Sequence, residues 1–219
     1  MRVLKQAFLW SLMLFLPMQA MAAEHPAQEL VVSTTKLVME KLRAEEEVVK
    51  KDNDRLMAIV EEHVLPHFDF RKMSSWVLGK YWRKATNKQK EQFTNEFKTL
   101  LVRTYSKALL DAIDKEINFL PLRSKKKDAD DITVRTEVDQ KGGFPIPIDY
   151  KLYEKSGKWM VYDVVIDSLS LVTNYRSSFS KTVRDSGIDE LIKKLADRNS
   201  DTSNVASKDK DVSKNTGVK

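Results

Sequence analysis

Few side chains in this sequence are spaced for chemistry. His63 and His67 stand four apart, which would put two imidazoles on one helical face, with Glu61, Glu62 and Asp69 near enough to complete a metal site. Pro66 breaks that helix, because the residue before a proline is pushed out of the α region, and His63 also falls on an apolar stripe. Packing explains the pair more simply than ligation, and no metal site is expected. Asp163 and Asp167 sit in and just after an apolar run, where a buried carboxylate can serve as a general base. The alternative for Asp163 is structural: pairing with a Lys or Arg, or accepting backbone N–H groups. His25 is expected to be mobile. The chain has no Gly-x-Ser-x-Gly, no phosphate-cradling glycine loop, no His-Glu-x-x-His and no cysteine. Nucleophilic, thiolate and zinc-peptidase chemistry by these motifs is therefore not expected, nor is a lipid anchor on a cysteine.

The elements that would position any site are easier to read. Leu30, Val31, Leu37, Val38 and Leu42 recur at helical spacing, and Leu56, Ile59, Val60, His63 and Val64 make a second amphipathic helix ending at Pro66. Thr86-Asn-Lys-Gln89 fits a capping box that opens a long helix with Phe93, Phe97, Leu100, Leu101, Tyr105, Ala108, Leu109 and Ile113 on one wide face. After Ile117 the period changes to two. Asn118–Arg123, Ile132–Val138, Ile146–Leu152 and Trp159–Ile166, joined by turns such as Gly142-Gly143 and Ser156-Gly157, predict an antiparallel meander of about four strands. Both alternating sets of the last strand are largely apolar, with Trp159, Val161 and Val165 on one face and Met160, Tyr162, Val164 and Ile166 on the other, so it is expected to be covered on both sides. Ser186-Gly187 breaks the chain before a short helix on Ile188, Leu191, Ile192 and Leu195. Helices, then an antiparallel sheet, then a terminal helix make an α+β fold.

The ends of the chain carry different signals. Arg2 and Lys5 precede an apolar run over residues 7–16, and Ala20-Met-Ala22 supplies the small residues that signal peptidase requires. Residues 1–22 thus read as a signal peptide cleaved before Ala23, residues 23–198 as one α+β domain, and residues 199–219 as a disordered polar tail. Removing residues 1–22 takes away two of the six net positive charges, leaving +4. Opposite charges alternate along most of the length, which does not suit a nucleic-acid binder. Lys125-Lys126-Lys127 is a sharp basic run, followed closely by Asp128, Asp130 and Asp131, and reads as a solvated turn.

Trp76, Tyr81, Trp82 and the apolar face of the long helix fit a filled core, and equally a hollow one holding an apolar ligand. Periodicity does not separate the two. From their facing pattern, Phe97, Leu101, Tyr105, Ile148, Val161, Val164 and Leu171 are the candidates to line a pocket between sheet and helices.

Two stretches resemble one family. The first runs from Leu65-Pro-His-Phe-Asp-Phe through Leu78-Gly-Lys-Tyr-Trp-Arg-Lys-Ala-Thr86 to Tyr105, and the second from Trp159-Met-Val-Tyr-Asp-Val to Ser170-Leu-Val-Thr-Asn-Tyr-Arg-Ser-Ser-Phe179. Both are similar to the MlaC family, periplasmic phospholipid-binding proteins of the Mla lipid-asymmetry system, also described as toluene-tolerance proteins. The resemblance spans roughly residues 28–197; Asp167-Ser168 stands where the family has Glu-Gly. It implies a twisted antiparallel sheet of the nuclear-transport-factor-2-like kind wrapped by helices, with an apolar pocket for acyl chains. It further implies a monomeric, non-enzymatic carrier without a cofactor, whose cargo is phospholipid. Its partners would be an inner-membrane ATP-binding-cassette complex and an outer-membrane lipoprotein–porin complex. Two rival readings remain at this level: an enzyme on the same fold with Asp163 or Asp167 as base, and a periplasmic chaperone or scaffold with a solid core.

Overall fold

The computed structural model describes residues 25–123 and 130–214, the last fourteen by backbone alone. Residues 1–22, read from the sequence as a signal peptide, and Lys125–Lys127 lie outside the described residues. The chain opens with helix α1 (Pro26–Ala44), which begins at a proline that needs no N–H there and is capped by His25, whose Nδ1 accepts from the Ala27 N–H at 3.2 Å. The imidazole also packs edge-on against Trp159. His25, expected to be mobile, is fixed as a cap. Val31, Val38, Met39 and Leu42 form the buried stripe of α1, while Leu37 turns outward.

A short α2 (Glu46–Val49) and α3 (Asn53–His63) follow, and α3 stops just ahead of Pro66 as expected. Helix α4 (Phe70–Leu78) starts on Asp69, whose Oδ1 accepts from the Lys72 N–H at 2.9 Å. It ends at Gly79, which has φ +54°, a left-handed conformation that favours glycine. Helix α5 (Asn87–Asp111) carries both bonds of its capping box: Thr86 Oγ1 accepts from the Gln89 N–H, and Gln89 Oε1 accepts from the Thr86 N–H.

Five antiparallel strands lie in sequence order: β1 (Ile117–Phe119), β2 (Asp131–Val138), β3 (Ile146–Lys155), β4 (Lys158–Ile166) and β5 (Leu169–Ser170). The fifth, beyond the four read from sequence, is two residues that fold back on the end of β4. Both two-residue hairpins at β4, Ser156-Gly157 and Asp167-Ser168, have positive φ at both positions. These turns match the right-handed twist of the strands they join.

Strand β4 departs from strict alternation. Lys151 pairs with Asp163 and Leu152 with Val161, so Tyr162 is an extra residue in a bulge. The facing of the expected sets is thereby shifted: Val161 precedes the bulge, Val164 follows it, and both reach the helical side. All four residues from Val161 to Val164 are buried. The backbone of Phe68-Asp69 lies alongside β4 where β5 does not reach, and the Asp69 N–H donates to the Val161 carbonyl at 2.9 Å. This covers an edge that would otherwise be open.

Helix α6 (Leu171–Lys214) leaves the sheet and is kinked at Gly187, φ +85°, where the sequence shows its break. Its backbone is helical to Lys214, whereas the composition from residue 199 reads as an unstructured tail. Extending an existing helix fixes one residue per bond gained, so no new nucleus is needed. Asn199 is itself buried and donates through Nδ2 to the Glu96 carbonyl at 3.0 Å.

The interior consists of two buried clusters. One joins the sheet to α4, α5 and α6 around Phe93, Phe97, Val134 and Leu152; the other joins α1, α2 and α3 to the C-terminal half of α5 around Leu42, Leu56, Ile59 and Ile113.

Candidate functional site

Between the two clusters the molecule is hollow. A cavity of about 520 Å³ is lined from both: by Val31, Val38 and Met39 of α1, Val60 of α3, Leu101 and Val102 of α5, and by the helical face of the sheet. On the sheet the lining is uneven. Thr136, Val138, Ile146, Ile148, Val164 and Ile166 lie toward one end, while Ile132, Val134 and Leu152 at the other pack into solid core. The volume lies within the range of small-molecule pockets.

Of the residues read from the sequence, Leu101, Tyr105, Ile148, Val161, Val164 and Leu171 line this cavity. Phe97 does not. It is fully buried in the solid cluster, stacked on Phe93 at 5.7 Å and met edge-on by Tyr175 and Phe179. The apolar face of α5 is wide enough to serve both regions, its first half filling the core and its second half the cavity wall. The contributions of α1, α3, Phe68 and Phe70 were missed. Their apolar stripes are visible in the sequence, but nothing in a stripe says whether it meets side chains or empty space.

Polar groups gather at one rim. Ala108 and Asp111 are exposed lining residues near the end of α5, and Lys115 donates to Gln140 Oε1 at 2.9 Å beside them. Inside, burial raises the Tyr150 phenol above its usual pKa. Burial, helped by Tyr175, pushes Tyr105 up to about 12. Both rings therefore remain neutral, as an apolar chamber requires.

The candidate catalytic and metal residues have other roles. Asp163 faces away from the cavity: Oδ2 accepts from Lys151 Nζ at 3.1 Å and from Ser170 Oγ at 2.8 Å, while Oδ1 accepts from the Val172 N–H at 3.2 Å. A carboxylate at the first turn of α6 satisfies an orphan N–H and complements the helix dipole. Asp167 lies exposed in the β4–β5 turn. His67 lines the cavity with its pKa lowered by burial, and no metal-binding group of three or more His, Asp or Glu occurs among the described residues.

On the opposite face of the sheet, Asp69 ties α4 to β3. Its Oδ2 accepts from Tyr153 Oη at 2.5 Å and Lys155 Nζ at 2.7 Å. Burial alone raises this carboxyl's pKa, but Lys155, Tyr153 and the Lys72 N–H outweigh it and hold the pKa below the usual carboxylate range. The Lys72 ammonium lies 3.1 Å from the Tyr153 ring centroid and 4.6 Å from that of Tyr162.

An open sheet and helices enclosing a mainly apolar chamber, with its charged side chains at the rim, define a binding protein for an apolar or amphiphilic molecule. The comparisons with known proteins give the family. The profile described as "MlaC protein" matches residues 32–197, and the chain belongs to the MlaC family. It is 28% identical over 186 residues to the intermembrane phospholipid transport system binding protein MlaC of Haemophilus influenzae, covering 83% of this chain and 86% of that one. It is 27% identical over 174 residues to toluene tolerance protein ttg2D of Pseudomonas putida, covering 79% and 80%. Its fold superposes with TM-score 0.74 and 27% identity on a phospholipid-binding protein of Ralstonia solanacearum solved with a phospholipid, covering 81% of this chain and 98% of that one.

Proposed function

We propose that this protein is a soluble periplasmic phospholipid carrier, released by cleavage before Ala23, with residues 23–198 as its lipid-binding domain. In this reading the acyl chains occupy the cavity and the headgroup stays at the rim beside Asp111, Lys115 and Gln140. The lipid passes between an inner-membrane Mla ATP-binding-cassette complex and an outer-membrane Mla lipoprotein–porin complex, which maintains outer-membrane lipid asymmetry. The single observation that carries the reading is the apolar chamber between the two buried clusters, in a family with a phospholipid-bound relative. No helix among the described residues is long and apolar enough to cross a membrane, which suits a carrier that leaves the bilayer.

Two acyl chains of about 30 methylenes cost more than about 20 kcal/mol to expose to water, at about 0.8 kcal/mol each. Unassisted diffusion between membranes is therefore negligible. The carrier need not exceed that energy, because its competitor is also apolar. A chamber about as favourable as the bilayer permits both loading and release, and the partners then set direction. Carriage involves no covalent step, and the outward-facing, fully engaged Asp163 offers no general base to the cavity.

Mass spectrometry of the exported, detergent-free protein before and after organic extraction tests the reading. The expected result is a mass increment equal to intact phospholipid that extraction removes. Protein that carries no lipid, and takes none from vesicles, would refute it in favour of a scaffold.

A further inference from the structure

Between Phe70 and Lys90 the chain carries seven Lys or Arg and no Asp or Glu. The fold gathers them from α4, the turn after it and the start of α5. Helix α6 adds Arg176, whose guanidinium lies so close to Gly79 that a Cβ there would meet it at 3.1 Å. Aromatic rings are interleaved with the cations: Arg71 and Lys90 lie 5.5 and 5.7 Å from the Trp82 ring, Lys80 lies 5.2 Å from that of Tyr81, and Trp76 is 45% exposed. Among the described residues, Lys80, Arg83, Lys84, Lys88 and Arg176 form no salt bridge.

Helix stability does not explain this placement. The first turn of α5 carries Lys88 and Lys90 and no acid of its own, the nearest being Glu91 in the second turn and Asp189 of α6, which accepts from Gln89 Nε2 at 2.9 Å; its last turn carries Asp111 and no base. Both ends oppose the helix dipole, which favours acids at the N-terminus and bases at the C-terminus. Charges held against local stability point to an external counter-charge.

We propose that this basic, aromatic-studded face docks on the surface of an anionic phospholipid bilayer. Unpaired Lys and Arg are attracted to anionic headgroups by summed charge, without the shape complementarity that a protein partner demands. Trp and Tyr, apolar in body and polar at one edge, suit the headgroup layer that such docking brings within reach. The 25 residues of α5 separate this face from the cavity rim by about 37 Å. The rim end carries Asp111, Asp114, Glu116 and Asp139 alongside Lys107, Lys115 and Lys141, a mixed charge without the basic excess of the opposite end. Docking therefore turns the rim away from the bilayer and leaves it to a protein partner.

The test is co-sedimentation of the full mature protein with phosphatidylcholine vesicles, with and without about 30 mol% phosphatidylglycerol, at low and high salt. Binding is expected only to the anionic vesicles and only at low salt. The triple variant Arg83→Glu, Lys84→Glu, Lys88→Glu should lower it by at least about tenfold. Because a Glu at position 88 suits the helix dipole, the melting temperature should not fall, and co-purified lipid should be unchanged, which separates this proposal from the carrier reading. Lys107→Glu with Lys141→Glu, at the rim end, should leave vesicle binding intact. Equal binding to both vesicle types, an undiminished triple variant, or equal loss in the rim-end variant overturns the proposal. So does binding to immobilised polyglutamate without binding to anionic vesicles, which assigns the face to an acidic protein.

Discussion

Val161 and Val164 face the same cavity although three positions separate them on one strand, because Tyr162 is an extra residue between them in the pairing with β3. In a regular strand, residues three apart point to opposite faces. The bulge gives the cavity two valine walls from one turn of backbone. It also leaves Asp163 outward to hold Lys151 and the start of α6, so one local irregularity serves both the chamber and the helix that closes it.

Filling the chamber should displace its contents while the fold survives. Leu101→Trp or Val164→Trp is expected to reduce co-purified phospholipid severalfold. The cavity accepts part of the added volume, so the stability loss should stay within about 1–3 kcal/mol. Lipid mass spectrometry with thermal melting on the same samples checks this, and normal lipid content in both variants would remove these residues from the site.

Phe97→Ala should behave in the opposite sense. Its ring is fully buried among Phe93, Tyr175 and Phe179, outside the cavity wall. The expected loss is about 3–5 kcal/mol in denaturant unfolding, with lipid still bound by the folded fraction.

Asp69→Asn should give a stability defect that depends on pH. The folded carboxyl has a lowered pKa, so its contribution is present above the unfolded value of about 3.9 and is lost as pH falls through the folded value. The variant should be less stable than the parent by about 1–3 kcal/mol at pH 7, and the gap should narrow as pH falls to about 3. Urea unfolding at both pH values reads the difference; a gap that persists undiminished in acid would mean that ionisation of Asp69 is not the source.

Ser168→Gly should stabilise the protein. Ser168 has φ +68° in the β4–β5 turn, a conformation that costs a residue with a Cβ about 1 kcal/mol or more. Relief is partly offset by the greater freedom of glycine in the unfolded chain, leaving about 0.5 kcal/mol and a rise of about 1–2 °C in melting temperature.

Local signals served the element list well. The capping box at Thr86, the stop at Pro66, the break at Gly187 and the switch to alternation after Ile117 each act through a neighbouring bond or dihedral, so residue type and spacing reveal them. His25 combines a local cap bond with a long-range ring contact to Trp159, and the second is invisible to local spacing. Asp163 was legible only in part: an apolar strand demands that a carboxylate find partners, but Lys151 and the Val172 N–H come from elements that only pairing and chain reversal bring near.

By itself, the sequence determined an α+β chain with an antiparallel meander, a doubly covered final strand, no evident catalytic constellation, and two stretches that place it in its family. Each follows from periodicity, composition or motif, properties that act over a few residues. Tertiary structure decided what is empty. Phe97 and Leu101 stand one helical turn apart on the same face of α5, yet one fills the core and the other walls the cavity. The difference lies in what packs opposite them, and the bulge at Tyr162 and the separation of the two buried clusters set that together.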